Sequence, residues 1–392
     1  MIEESLQDVI QLVGDAVSAY CHYITPNDVG ATGGHQYGFT FAKPCYSMFF
    51  DEPGVKGSNK DKYIEITWQK SFVTQSRAIY YGVGTRNEYR LTRYGKGFEF
   101  LQEDYIGSLQ IMTKNREGEY NGYVLSDQGN IEAFMATFNL DITVGNHMIK
   151  SDSAFEADQF ILDEFLKFID THSHFPDTLE MAAFARNCVI RANKYNEAYI
   201  SNNPDSIITE WITAEYQLFS GLEEKIYGPI FTQPFQNCQA LIDFSNQILN
   251  RRKSRAGKSL EHHLATIFKA SGLNFEEQCV TENNKKPDFI FPNGECYHDF
   301  AFPASKLTML GAKTTCKDRW RQVLNEANRI TDKHLFTLQR GVSRNQLQEM
   351  TDEHLTLVIP KENMKLFLPE FHSSIMCLSD FILMVKERQQ TA

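Results

Sequence analysis

Apolar and polar side chains alternate along Tyr63-Ile-Glu-Ile-Thr-Trp68, the period of a half-buried strand. Ser76-Arg-Ala-Ile-Tyr-Tyr81 is rich in aromatic and branched residues and is bounded by Gly82 and Gly84, which predicts a second strand. An amphipathic stretch leads the chain and predicts a helix. The first ~165 residues therefore read as mostly β behind a leading helix, with short strands split by turn residues, as in a small barrel or sandwich. A helical pattern returns near 154–170, and His172-Ser-His-Phe-Pro176 reads as a linker.

Beyond position 177 the period changes. Leu260, Leu264, Ile267 and Phe268 fall at helical spacing behind Ser259, which predicts an N-cap there. Asp288-Phe-Ile-Phe291 predicts a short strand, Asn293-Gly294 a hairpin turn, and Tyr297-His-Asp-Phe300 a returning strand. Leu307–Thr315 is a third strand candidate. Asp318–Ile330 predicts a helix with Trp320, Val323, Leu324, Ala327 and Ile330 on one face. Leu335–Leu338 and Leu355–Ile359 predict further strands. This alternation points to an α/β sheet flanked by helices. The division is 1–170 for a first domain, 171–176 for a linker and 177–392 for a second.

The 392 residues suffice for two domains, and 42% hydrophobic with 23% charged residues excludes a disordered or fibrous chain. No apolar run approaches the ~18–20 residues that span a bilayer, and the N-terminus lacks the pattern of a secretory signal. The eight cysteines form no CxxC pair, which points to reduced thiols in a cytosol. A net charge of −11 excludes a wholly basic nucleic-acid-coating protein but not local basic patches.

The sharpest chemical constellation is Lys285-Lys-Pro-Asp288, Gly311-Ala-Lys313 and Glu326. Metal-dependent phosphodiester hydrolysis needs carboxylates for a hard cation such as Mg²⁺, and a lysine near the attacked phosphate. In the usual PD…(D/E)xK nuclease pattern an acid stands two residues before that lysine. Here the position is Gly311. At ~100° per residue from Trp320, Glu326 falls at about 240°, on the edge of the buried arc, from where it could join Asp288. A solvated glutamate paired with Arg319 or Arg329 is the competing reading. Glu261 is either a fourth acid of the site or a first-turn acid favoured by the helix dipole.

Arg251-Arg-Lys-Ser-Arg-Ala-Gly-Lys258 is dense in cations, and Lys317-Asp-Arg-Trp-Arg321 sits at a predicted helix start. Such a start can read guanine edges through Arg or Lys and cytosine through Asp, and a basic tract near carboxylates suits a phosphate backbone. A solvated basic face is the alternative for 251–258. Arg86, Arg90, Arg93 and Lys96 form a DNA-facing edge or one charged, solvated strand face. The glycines at 30–34 lack dinucleotide-loop spacing, and Lys258-Ser259 lacks the upstream glycine of a P-loop.

These segments resemble the EcoRII family of type II (type IIE) restriction endonucleases. The carrying residues are 250–261, 284–289, Tyr297-His-Asp299, and Lys313–Gln322 with Leu324–Ala327; in the N-terminal half they are 30–36, 77–81 and 85–88. The resemblance implies a mixed fold: an N-terminal mostly-β pseudobarrel DNA-binding effector domain, and a C-terminal α/β restriction-endonuclease-like domain that dimerises. It implies Mg²⁺-dependent cleavage of double-stranded DNA at a CC…GG-type site, leaving 5′-phosphate ends. It assigns Glu261, Asp288, Lys313 and Glu326 to catalysis with Tyr297 nearby, Asp288 and Glu326 to the metal, and Lys317, Asp318 and Arg319 to base readout, beside the basic Arg251 and Arg252. In the effector domain it points to His35, Arg86, Glu88 and Arg90, and Arg77 and Arg93 join them as DNA-binding candidates. Gly84 and Tyr89 depart from lysines in the family pattern. An autoinhibitory N-terminal domain, a homodimer, a partner cytosine methyltransferase and a bacterial cytoplasmic location follow from the same resemblance. A DNA-binding regulator with an inactive nuclease domain is the alternative, against which the intact Asp288, Lys313 and Glu326 argue.

Overall fold

The structure, a computed structural model, describes residues 5–32, 37–141, 145–150, 159–317 and 319–390. By its internal contacts the chain forms two units. The first is Met1–Ala154 with Arg340–Leu347 and Lys365–Glu370; the second is Phe155–Gln339, Gln348–Met364 and Phe371–Ala392.

In the first unit α1 (Leu6–Asp15) starts at Ser5, whose hydroxyl accepts from the Asp8 amide. Then come β1 (Ser18–Tyr23), β2 (Phe39–Phe41), β3 (Lys60–Trp68), β4 (Phe72–Tyr81), β5 (Glu88–Thr92), β6 (Leu109–Lys114), β7 (Tyr120–Leu125), α2 (Gln128–Thr137) and β8 (Asn146–Lys150). The strand order is β2-β5-β4-β3-β7-β6-β1-β8. β1 and β2 lie near opposite ends of that order. Yet the Tyr20 hydroxyl on β1 donates to the Thr40 carbonyl on β2 at 2.8 Å, and the Tyr20 and Phe41 rings are 4.8 Å apart. The sheet therefore curls until its far strands touch, which makes a pseudobarrel. Val9 and Val13 of α1 and Ile131 and Phe134 of α2 cover β1, β6 and β7 with a continuous apolar layer.

The remaining elements are α3 (Gln159–Thr171), α4 (Thr178–Asn193), α5 (Glu197–Asn202), α6 (Pro204–Phe231), α7 (Cys238–Ala270), β9 (Glu276–Glu277), β10 (Phe289–Phe291), α8 (Gly294–His298), β11 (Thr308–Lys313), α9 (Trp320–Leu324), β12 (Lys333–Thr337), α10 (Arg344–Asp352), β13 (Leu355–Ile359), β14 (Ile375–Cys377) and α11 (Leu378–Gln390). The sheet order is β14-β13-β12-β11-β10-β9. β11 to β14 run parallel, while β10 is antiparallel to both β9 and β11. Phe268 of α7 meets Phe289 and Phe291 of β10 edge-on, which seats the long helix on the sheet. The mixed fold thus agrees with the sequence. Among the described residues no helix is long and apolar enough to cross a membrane.

Several local expectations do not hold. Ser259 is not a helix start: α7 begins after Asn237, whose side chain accepts from the Ala240 amide. The basic tract is made of good helix formers, so nothing stops the helix through it. Inside α7 Ser259 instead donates to the buried Glu215 of α6 at 2.8 Å. Asn293-Gly294 is not a hairpin turn. Asn293 caps α8, accepting from Cys296, because an Asx side chain serves either geometry. No strand returns there. The helix expected over 318–330 stops at Leu324, and Ala327 takes a left-handed φ of +50°. β14 is not among the expected strands, because its three residues are too few for a pattern to be read. α3 packs Phe165 and Phe168 on Phe184 of α4, so this helix groups with the second unit.

Candidate active site

Asp288 and Lys313 reach each other through strand register. Phe289 of β10 faces Leu310 of β11, which sets Asp288 across from Gly311. Side chains two apart on a strand share a face, so Lys313 is the diagonal neighbour of Asp288. The Lys313 ammonium lies 3.1 Å from Asp288 Oδ2. The same oxygen accepts from the Ala312 amide at 2.7 Å, and Oδ1 accepts from Gln278 Nε2 at 3.0 Å. Asp288 is 7% exposed, so the carboxylate is fixed in place by three donors.

The missing acid at 311 has a steric cause. A Cβ there would stand 3.0 Å and 3.3 Å from the Val323 methyls. α9 is packed too closely on β11 for a carboxylate. The acid that approaches Asp288 is Glu326, just past the end of α9. Burial first, then the Asp288 charge, raise the Glu326 carboxyl to about 7, while Lys313, Lys285 and Lys333 only partly offset them. A carboxyl whose ionisation is opposed by a neighbouring carboxylate makes with it a donor pair that a hard cation relieves. Among the described residues no group of three or more His, Cys, Asp or Glu could hold a metal. Two carboxylates nevertheless suit Mg²⁺, which keeps several waters and takes further oxygens from a phosphate.

The turn that carries Glu326 is held from several sides. Lys285 donates to the Asn325 carbonyl at 2.9 Å. The Glu282 carboxylate accepts from the Asn328 amide at 3.1 Å and from the Tyr297 hydroxyl at 2.7 Å. Lys333 donates to three carbonyls of the turn. Sequence reasoning missed Gln278, Glu282 and Lys333. A lysine opening a strand reads as solvent-facing, and only the chain path shows otherwise.

The other expected site residues have surroundings of their own. Glu261 is deep within α7, not in a first turn, and pairs with Lys258 at 2.7 Å. Tyr297 is 1% exposed with its hydroxyl given to Glu282, so it supports the 325–330 turn and presents no group to a substrate. Lys317 is buried and Arg319, the cap of α9, is exposed. Asp318 and His35 lie outside the described residues. Arg251 stacks on Phe175 at 4.3 Å and donates to the Tyr227 hydroxyl. Arg252 pairs with Glu223 at 2.6 Å. Both are committed to helix packing and not to a solvated face.

In the first unit the expected DNA-facing edge divides in two. Arg77 pairs with Asp61 at 2.7 Å, and exposed Arg93 donates to the Tyr63 hydroxyl. Arg86 stacks on Tyr81, and Glu88 faces Tyr81 across β4 and β5. From Arg77 to Tyr81 is four strand residues, so the groups stand ~13 Å apart. Arg90 is no surface residue. At 2% exposure it donates to Glu88 and to the Gly38 carbonyl, both at 3.2 Å, and ties β5 to the segment entering β2.

Comparison with known proteins gives two family matches: "Restriction endonuclease EcoRII, N-terminal" over residues 14–144 and "EcoRII C terminal" over residues 219–382. The chain is 33% identical over 403 aligned positions to the type II restriction enzyme EcoRII of Escherichia coli, covering 95% of each protein. Among solved structures, metal-depleted Ecl18kI in complex with uncleaved DNA matches with 20% identity and a TM-score of 0.46, covering 58% of this chain and 85% of that one. The complex of restriction endonuclease PspGI with substrate DNA matches with 14% identity and a TM-score of 0.44, covering 56% of this chain and 95% of that one.

Proposed function

Because the chain belongs to the EcoRII family of type II restriction endonucleases and is a type II deoxyribonuclease, we propose that Asp288, Lys313 and Glu326 are the groups that cut DNA. One observation carries this: the Lys313 ammonium is 3.1 Å from a buried Asp288, whose charge also acts on the half-buried Glu326. Asp288 and Glu326 would hold Mg²⁺, which when bound supplies a Lewis acid for the scissile phosphate. Lys313 orients the attacking water and offsets charge growing on the phosphoryl oxygens. In-line displacement leaves a 5′-phosphate and a 3′-hydroxyl.

The substrate in this reading is duplex DNA with a CC…GG-type sequence. Arg319 at the start of α9 is the base reader, since it is exposed and precedes the turn that bears Glu326. Lys317 and Asp318 remain assigned to the same readout by the family pattern. Two copies pair through the second unit. Arg77, Arg86, Glu88 and Arg93 of the first unit take an effector DNA whose binding releases inhibition of the second. A cytosine methyltransferase would protect the host's own sites in the bacterial cytoplasm.

Cleavage of a plasmid bearing CC…GG sites, with and without Mg²⁺, tests the central reading. Mg²⁺-dependent linear product at fixed positions is expected, and intact plasmid under all conditions would refute it. Added cognate oligonucleotide should speed cleavage of a single-site plasmid. No acceleration would remove the effector role and leave the nuclease reading standing.

A further inference from the structure

We propose that Lys333 is a positioning residue for Glu326, tying the turn that carries this acid to the same sheet that carries Lys313. The inference rests on the reading of Glu326 as the displaced acid. An acid two residues before Lys313 would be held by β11 itself. Glu326 instead follows a helix of one turn and precedes Ala327 at φ +50°, and its own amide reaches back only to the Val323 carbonyl, at 3.1 Å. The further anchors come from side chains.

Lys333 is the most buried of those lysine anchors, at 6% exposure. Its ammonium donates to the carbonyls of Glu326 at 2.6 Å, Ala327 at 3.1 Å and Ile330 at 2.8 Å. An ammonium has three protons, and all three are spent on this one turn. Lys333 opens β12, which pairs in parallel with β11 from Leu310↔His334 to Lys313↔Thr337. Lys313 and the anchor of Glu326 therefore stand on neighbouring strands of one sheet. Lys333 is too enclosed to meet DNA and acts only through the turn.

The test is a double-mutant cycle on the full-length protein with Lys333→Met, Glu326→Gln and the pair. Four quantities are measured. They are thermal unfolding, binding of a cognate duplex without metal, Ca²⁺ binding to the protein–duplex complex by calorimetry, and single-turnover cleavage against Mg²⁺ concentration. Lys333→Met should bind the duplex as wild type does. It should weaken Ca²⁺ binding and raise the Mg²⁺ needed for half-maximal cleavage, each by about 10–100-fold, the usual effect of losing a group that orients a ligand. In the Glu326→Gln background the same change should add less than about threefold, because the two act as one unit. Equal losses in both backgrounds, or an unaltered metal dependence, would overturn the assignment. Should Lys333→Met fail to fold, Lys333→Gln keeps two donors and is run through the same cycle, with a smaller loss and the same non-additivity expected. If Glu326→Gln alone cleaves like wild type, the displaced-acid reading fails, whatever Lys333 does.

Discussion

Gly311 decides where the acid can be. The Val323 methyls fill the space that any side chain at 311 would enter, at 3.0 Å and 3.3 Å from its Cβ. Gly311→Ala should therefore destabilise the second unit by about 1–3 kcal/mol, the usual cost of overpacking a filled core, seen as a lower denaturant midpoint. An unchanged midpoint would mean that α9 yields. Lys313→Ala should remove cleavage while leaving cognate binding near wild type, since in the proposed mechanism Lys313 acts on charge that develops in the transition state. Gel-shift and nicking assays on one preparation separate the two. Asp288 and Lys313 were legible in the sequence, because a short apolar strand after an aspartate and a lysine at a strand end need no long-range information. The nearness of Glu326 was expected from a helical wheel, but that route was wrong. The helix ends at Leu324, and nothing local announces that Ala327 turns left-handed.

Among the elements, α7 shows how a charge pattern misleads. Five cations in eight residues look like a phosphate-binding tract, yet Arg251 covers Phe175, Arg252 pairs with Glu223, and Arg255 lies over Tyr216 and Phe219. These arginines join α7 to α6 and to the stretch after α3. Arg252→Ala should cost about 2–3 kcal/mol, toward the low end for a broken buried pair because its guanidinium keeps some contact with water. Urea unfolding reads that loss, and a midpoint shift below a few tenths of a molar would contradict it. α9 carries the opposite case. Arg319→Ala should lose about 1–3 kcal/mol of discrimination against a one-base change if its guanidinium reads a guanine. Equal losses on matched and mismatched duplexes would make Arg319 a backbone contact. Periodicity found β3, β4 and β10 to β13 and parts of α1, α3, α7 and α9. It missed the starts of α7 and α8, where one polar residue serves as cap, turn or core partner according to partners far along the chain.

For the whole molecule, the two units were visible as a change of period from 2 to 3.6, and the curl of the first sheet was not, because it depends on β1 and β2 meeting. Stability of the second unit should depend on pH through buried imidazoles. Burial, with Arg388 nearby, lowers His334 to about 4 from 6.5, and burial also lowers His263. A folded value below the unfolded one means the fold prefers the neutral ring. The His334 contribution is thus complete above pH ~6.5 and falls away as the pH drops toward 4, by about 3 kcal/mol at ~1.4 kcal/mol per pH unit. Glu326, raised to about 7, gains stability over the same fall in pH, so unfolding midpoints from pH 7 to 4 should show the His334 slope in a Glu326→Gln background, and His334→Gln added to it should flatten it. A parallel slope in the variant would assign it to other groups.

The parallel pair β11–β12 also has a meaning for the safety of a cell that stores such an enzyme. In the proposed site Lys313 belongs to one strand and the anchor of Glu326 to the next, so that site would be complete only while the two strands are paired. On that assignment a molecule frayed at this seam would be disarmed before it is unfolded, and damage would yield an idle chain and not an indiscriminate cutter of the genome around it.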